Sequence, residues 1–239
     1  MENKLVEPFV TYAIDFEGSV TAGVLEYGWV GLDSIRGIFS AETAFCKNRT
    51  DIPASESALH QIYAEQVSNC PDFRTILPRL IDLRSRHFFC AHQASFENAL
   101  LQMYCPVVLK ARSIPENPQP SWGPWIDTCV LYKKYFRKVH GKRPSSCGPS
   151  GTLQTLIEFC GLSEILQQVG NRFCPPTRRQ YHCALWDALA CALLLLHFIR
   201  QEEIQTKTLA WLLQESSSLS KAQQLRQPCL FPKTPSQET

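Results

Sequence analysis

The chain has 239 residues, 44% of them hydrophobic and 19% charged, with a formal net charge of +2. This balance excludes a disordered chain and allows one sizeable domain with a buried core. It also excludes a bulk electrostatic attraction to nucleic acid, so any such binding must come from local basic patches.

Near the N-terminus, the apolar residues Phe9, Val10, Tyr12, Ala13 and Ile14 lead into Asp15-Phe16-Glu17. The run reads as a buried strand ending in two carboxylates. Side chains alternate along a strand, so Asp15 and Glu17 share one face and Phe16 takes the other. Two adjacent carboxylates at a buried strand end repel and lose hydration, and a hard divalent cation relieves both penalties. On its own the pair is equally consistent with a strand ending at the solvent boundary.

A Gly/Ser/Thr turn follows, and residues 24–31 and 35–40 read as two further antiparallel strands. Residues 46–56 are polar, contain Pro53 and read as a loop, while 59–67 and 73–83 have apolar residues at helical spacing. Residues 87–91 form a short buried strand, and Ser95 caps a helix running to about Tyr104. A Pro-rich loop spans 106–124, a short strand 125–128, and helices 130–139 and 152–160 follow, separated by the basic loop 140–151. After a second basic loop, 172–179, comes the long apolar helix 183–200, and 209–214 adds a short helical turn. The domain is expected to span 1–205. The extension 206–239 is rich in Ser, Gln and Pro and is expected to be largely flexible.

Eleven cysteines without any C-x-x-C spacing argue against a zinc module or a disulfide framework. They read as reduced, buried thiols, which implies a cytoplasmic protein. The N-terminus has no signal-peptide pattern. The apolar run 188–199 is too short to span a bilayer.

Two later stretches add to the acidic strand. In Ala91-His92-Gln93-Ala94-Ser95-Phe96-Glu97, Glu97 shares its helix face with Leu100, Leu101 and Tyr104, and an inward carboxylate needs a partner. In Tyr181-His182-Cys183-Ala184-Leu185-Trp186-Asp187, Asp187 is the only charge from Cys183 to Ile199. Five residues at 3.6 per turn would splay His182 from Asp187 in one helix, so His182 is placed just before it. A strand-end acidic pair, an inward helix carboxylate and a histidine near an inward aspartate together suit a two-cation site with a base.

These stretches resemble the DEDDh 3′–5′ exonucleases, whose members include the proofreading epsilon subunit of bacterial DNA polymerase III, ribonuclease T and oligoribonuclease. Asp15-Phe16-Glu17 matches the first family motif, Asp-x-Glu. His92-Gln93-Ala94-Ser95-Phe96-Glu97 matches the second, His-Asn-Ala-x-Phe-Asp, with Gln93 for asparagine and Glu97 for aspartate. His182 to Ala188 matches the third intact. Residues 25–30 and 126–128 are weaker echoes, and the resemblance covers about residues 8–200.

The resemblance implies an α/β, ribonuclease H-like fold, with a mixed β-sheet flanked by helices; the C-terminal tail is expected to be disordered from its composition. It also implies two divalent cations, Mg²⁺ or Mn²⁺, held by Asp15, Glu17, Asp187 and Glu97. His182 would be the general base, and the activity would release nucleoside 5′-monophosphates from 3′ ends of single-stranded DNA or RNA, in replication proofreading or repair. The glutamate at 97 adds a methylene and keeps open a catalytically weak or silent subunit that binds nucleic acid or a polymerase partner.

Candidate substrate contacts are Phe16, His92, Phe96, Arg178 and Arg179, with Lys133, Lys134, Arg137, Lys138, Lys142 and Arg143 as further basic candidates. Phe16 fits either base stacking or the core on the opposite face, and alternation favours the core. In the tail, Gln227-Pro228-Cys229-Leu230-Phe231 resembles the peptide by which bacterial replication proteins bind the sliding clamp. Gln227, Leu230 and Phe231 would be its anchors.

Overall fold

The structure is a computed structural model that describes residues 8–105, 122–140 and 152–217, with backbone alone for 136–140. Its sheet is built around β1 (Val10–Ser19), the strand that ends in the acidic pair. β2 (Gly23–Asp33) and β3 (Gly37–Phe45) continue from it antiparallel. β4 (Phe88–Ala91) and β5 (Trp125–Asp127) are parallel additions on the other side. The spatial order β3-β2-β1-β4-β5 is the mixed α/β sheet expected from the sequence.

The helices are α1 (Ala54–His60), α2 (Ala64–Val67), α3 (Leu77–Arg86), α4 (Ser95–Tyr104), α5 (Thr128–His140), α6 (Leu153–Phe159), α7 (Ser163–Phe173), α8 (Ala184–Ile199) and α9 (Leu209–Ser216). Apart from Asp187 and His197, α8 is apolar all round, as a central helix must be. It packs across β1 and β2 in a core that includes Ala13, Val30, Leu32, Cys90 and Ile126. The opposite sheet face carries Ile14, Phe16, Tyr27, Trp29 and Phe89, covered by α3 and α4 through Leu80, Leu83, Leu100 and Leu101. Strand alternation thus divides β1 between two cores.

Several elements differ from the sequence reading. β3 runs on to Phe45, past the expected strand end at Ser40 and up to the start of the expected loop. The expected helix 59–67 is two short helices, because Gln61 has a left-handed backbone (φ +56°) that ends α1. Residues 73–76 form a 3₁₀ turn ahead of α3. α7 was not anticipated; its Gly170 lies against Trp186, whose ring would be 2.4 Å from an added Cβ.

α9 revises the domain boundary at 205. Leu212 and Leu213 are buried in the α8 core, and Lys134 Nζ donates to the carbonyls of Glu215 and Ser217 at 2.5 and 3.3 Å. The folded unit therefore runs to at least Ser216. The side chains of Arg137 and Lys138, the loop with Lys142 and Arg143, and the tail with Gln227, Leu230 and Phe231 lie outside the described residues. Among the described residues, no helix is long and apolar enough to cross a membrane, and all nine cysteines are free thiols.

Candidate active site

The site forms where α8 begins, against the acidic end of β1. Gly28 of β2 pairs with Asp15 and makes this approach possible. A Cβ on Gly28 would stand 2.4 Å from the carbonyl carbon of Ala184 and the nitrogen of Leu185, so only glycine allows α8 to sit this low. Just past Glu17 the β1–β2 register shifts, and Gly18 takes φ +129°, a bulge conformation that suits glycine.

Glu17 and Asp187 are each 8% exposed, and His182 is exposed at the rim. One carboxylate oxygen from each and one His182 ring nitrogen lie within 4.8 Å of one another. Asp15 is half-buried on the Glu17 face of β1. Burial first, then the charges of Asp187, Glu17 and Glu97, hold its carboxyl well above the usual carboxylate range. Glu17 is raised by burial, Asp187 and Glu26, and drawn down by Arg178. Burial pushes Asp187 up to about 7 against the His182 amide, which pulls it down.

His182 lies just before α8, as its spacing from Asp187 required. Its backbone is left-handed (φ +62°), and its amide donates to Asp187 Oδ2 at 3.0 Å. The ring of the histidine lies beside Glu17 and Asp187 while its backbone fixes the aspartate.

The second motif is a turn between β4 and α4. Ser95 does not cap α4; it is the first helical residue, and Ala94 stands at the cap without a side-chain bond. Asp127, at the end of β5, does the equivalent work. It accepts from the amides of Ala94 (2.9 Å), Gln93 (3.3 Å) and Val130 (3.1 Å). Gln93 is left-handed (φ +71°), a conformation that asparagine tolerates better than glutamine. His92 Nδ1 lies 2.9 Å from Thr128 Oγ1.

Glu97 is 3% exposed. Burial is the largest cause raising its carboxyl, its own amide draws it down, and Cys191, Asp127 and Glu17 raise it further. The three groups that meet within 4.8 Å are Glu17, His182 and Asp187; Glu97 is not one of them, and stands buried on α4 with its charge felt by Asp15.

These residues fit a divalent metal. Oδ1 of Asp187 and Oε2 of Glu97 are buried without a hydrogen-bond partner among the described residues. Unpartnered carboxylate oxygens inside a like-charged cluster are costly unless a cation is shared between them. An all-carboxylate donor set with one imidazole suits hard ions such as Mg²⁺ or Mn²⁺.

Two expected substrate contacts are corrected. Phe16 is 2% exposed and packs edge-on against Phe73, ring centroids 5.3 Å apart, on the face away from the carboxylates. It is a core residue. Arg178 is buried as well. Its Nε and Nη2 donate to Glu26 Oε1 and Oε2 at 3.1 and 2.5 Å, and its Nη1 to the His60 carbonyl at 2.8 Å. Arg179 bonds back to Cys174 and Asn171 around the end of α7. Phe96, 44% exposed at the start of α4, remains open to a ligand.

Glu26 was legible only as part of a weak echo. It pairs with Glu17 across the strands, is 2% exposed, and accepts the Ala184 amide at 3.0 Å. It thereby anchors the first turn of the helix that carries Asp187.

No protein-family model matches the sequence, and no curated protein matches it. Solved structures do match. Exonuclease X, in complex with 5′-overhanging duplex DNA, superposes with a TM-score of 0.54 at 20% identity, covering 82% of this chain and 97% of that one. The nuclease domain of 3′hExo, a DEDDh family member bound to rAMP, gives 0.55 at 16% identity, covering 81% and 93%. Cell-death related nuclease 4 gives 0.56 at 15% identity, covering 87% and 68%. At these identities the likeness is one of fold, and the chain has the ribonuclease H-like fold of the DEDDh exonucleases.

Proposed function

We propose that the protein is a metal-dependent 3′–5′ exonuclease that hydrolyses single-stranded DNA or RNA from its 3′ end to nucleoside 5′-monophosphates, in proofreading or repair. The observation that carries this reading is the meeting of Glu17, Asp187 and the exposed His182 within 4.8 Å, with Asp15 on the same strand face and Glu97 buried on α4. The fold is shared with Exonuclease X and the 3′hExo nuclease domain, which supports the same reading.

Asp15, Glu17 and Asp187 would hold one Mg²⁺ or Mn²⁺, and Asp15 with Glu97 a second. Bound there, the cations supply Lewis acidity at the phosphate and make the attacking water more acidic. The imidazole of His182, exposed at the rim, accepts that water's proton at a ring nitrogen. The buried carboxylates hold their positions without rearrangement because the Asp127-bound turn and the Glu26-bound helix start are fixed before substrate arrives. Phe96 offers a ring on which the terminal base stacks. Glu97 is buried with Oε2 unpartnered among the described residues, which favours the active reading over the silent one. The tail residues Gln227, Leu230 and Phe231 stand as a separate clamp-binding proposal. It fails if a 223–235 peptide shows no measurable affinity for a sliding clamp.

Chromatography of a digest of single-stranded DNA or RNA with Mg²⁺ tests the reading. Nucleoside 5′-monophosphates are expected. Nucleoside 3′-monophosphates, or intact oligonucleotide, contradict it. Phe96→Ala is expected to raise KM more than it lowers kcat.

A further inference from the structure

The buried carboxylates around the site fall into two kinds. Asp187 and Glu97 each keep an oxygen without a partner among the described residues. Asp127 and Glu26 have both oxygens occupied. Asp127 is closed by three backbone amides, whereas Glu26 is closed chiefly by one side chain, Arg178.

Glu26 is the more consequential case. It sits directly across from Glu17 in the β1–β2 register, so its Cβ projects from the same sheet face as the metal-facing carboxylates. Without a counter-ion it would be one more buried carboxylate beside the cluster. The guanidinium fork takes Oε1 and Oε2 together, and the Ala184 amide takes Oε2 as well. The remaining terminal nitrogen, Nη1, holds the His60 carbonyl at the end of α1. Arg178 thus binds β2 and α1 directly and the first turn of α8 through Glu26. A planar, permanently charged guanidinium is suited to this two-oxygen grip.

We propose that Arg178 is a positioning residue of the metal centre: by occupying both oxygens of Glu26 it keeps that carboxylate out of the ligand set formed by Asp15, Glu17, Glu97 and Asp187. The proposal rests on the metal-centre reading above. Removing Arg178 alone releases Glu26 towards the ions. Neutralising Glu26 at the same time removes the competitor and retains an amide oxygen for the Ala184 N–H.

The test combines calorimetric titration of Mn²⁺ with steady-state kinetics, for wild type, Arg178→Met and Arg178→Met/Glu26→Gln. Arg178→Met is expected to change the number or affinity of bound ions and to lower kcat about tenfold or more with little change in KM. The double variant is expected to regain wild-type ion stoichiometry and most of kcat. A purely structural brace would leave the double variant at least as impaired as the single, and that result overturns the proposal. Should Arg178→Met not fold, the double variant decides alone. Wild-type stoichiometry supports the proposal, and loss of an ion identifies Glu26 as a ligand and overturns it. A wild type that binds Mn²⁺ but cleaves nothing defeats the nuclease reading and leaves the calorimetric comparison valid. A wild type that binds no divalent ion defeats both.

Discussion

The amide of His182 donates to Asp187 Oδ2 at 3.0 Å, so the residue proposed as the base also fixes a carboxylate of the proposed metal centre, by two separate parts of its structure. His182→Ala removes the imidazole and keeps the amide. Activity is expected to fall by about 10²–10⁴-fold, with calorimetric metal affinity and Tm close to wild type. Near-full turnover by His182→Ala would remove it as the base.

Gly28 is where α8 meets the sheet. A Cβ 2.4 Å from the Ala184 and Leu185 backbone cannot be absorbed by a side-chain rotation. Gly28→Ala is expected to cost about 1–3 kcal/mol by overpacking. The displaced Asp187 should lower kcat about 100-fold. Chemical denaturation and kinetics on the same sample check both.

The carboxylate cluster couples stability to pH. Asp187, ordinarily 3.8, is pushed up to about 7 in the fold, so between these values the folded state holds a proton that the unfolded chain has lost. Metal-free stability is therefore expected to fall as pH rises through this window, by about 1.4 kcal/mol per pH unit for such a group, and to level off above it. The raised carboxyls of Asp15, Glu17 and Glu97 act in the same direction. A divalent ion in the proposed centre would bind the ionised form, so Mg²⁺ or Mn²⁺ should raise Tm strongly at pH 8 and weakly at pH 5. A metal effect independent of pH would contradict this electrostatic account.

Gln93 holds φ +71° in the turn that carries His92 and leads into the helix of Glu97. Replacing it with asparagine, which enters this region more readily, is expected to stabilise the protein by about 1 kcal/mol, or about 2–4 °C in Tm. A thermal melt of Gln93→Asn measures this directly.

The features legible in the sequence were those whose signal is local. Alternation put Asp15 and Glu17 on one face and Phe16 on the other. A single charge in an apolar helix marked Asp187, and helical spacing turned Glu97 inward. Arg178 misled because a basic residue among prolines and exposed neighbours reads as a solvated contact, while its partner Glu26 lies 152 residues away. The anchoring role of Asp127 depends on amides about thirty residues earlier in the chain, and no periodicity reveals such a pairing. α9 was read as a short helical turn, but whether it belonged to the core was set by packing, through Leu212 and Leu213.

The most direct test of the account is digestion of 5′-labelled single-stranded DNA and RNA with Mg²⁺, Mn²⁺ or EDTA, comparing wild type with Asp15→Ala. The account predicts a ladder shortening from the 3′ end that EDTA and Asp15→Ala both abolish. No cleavage by wild type with either metal, or a ladder that survives Asp15→Ala, would contradict it.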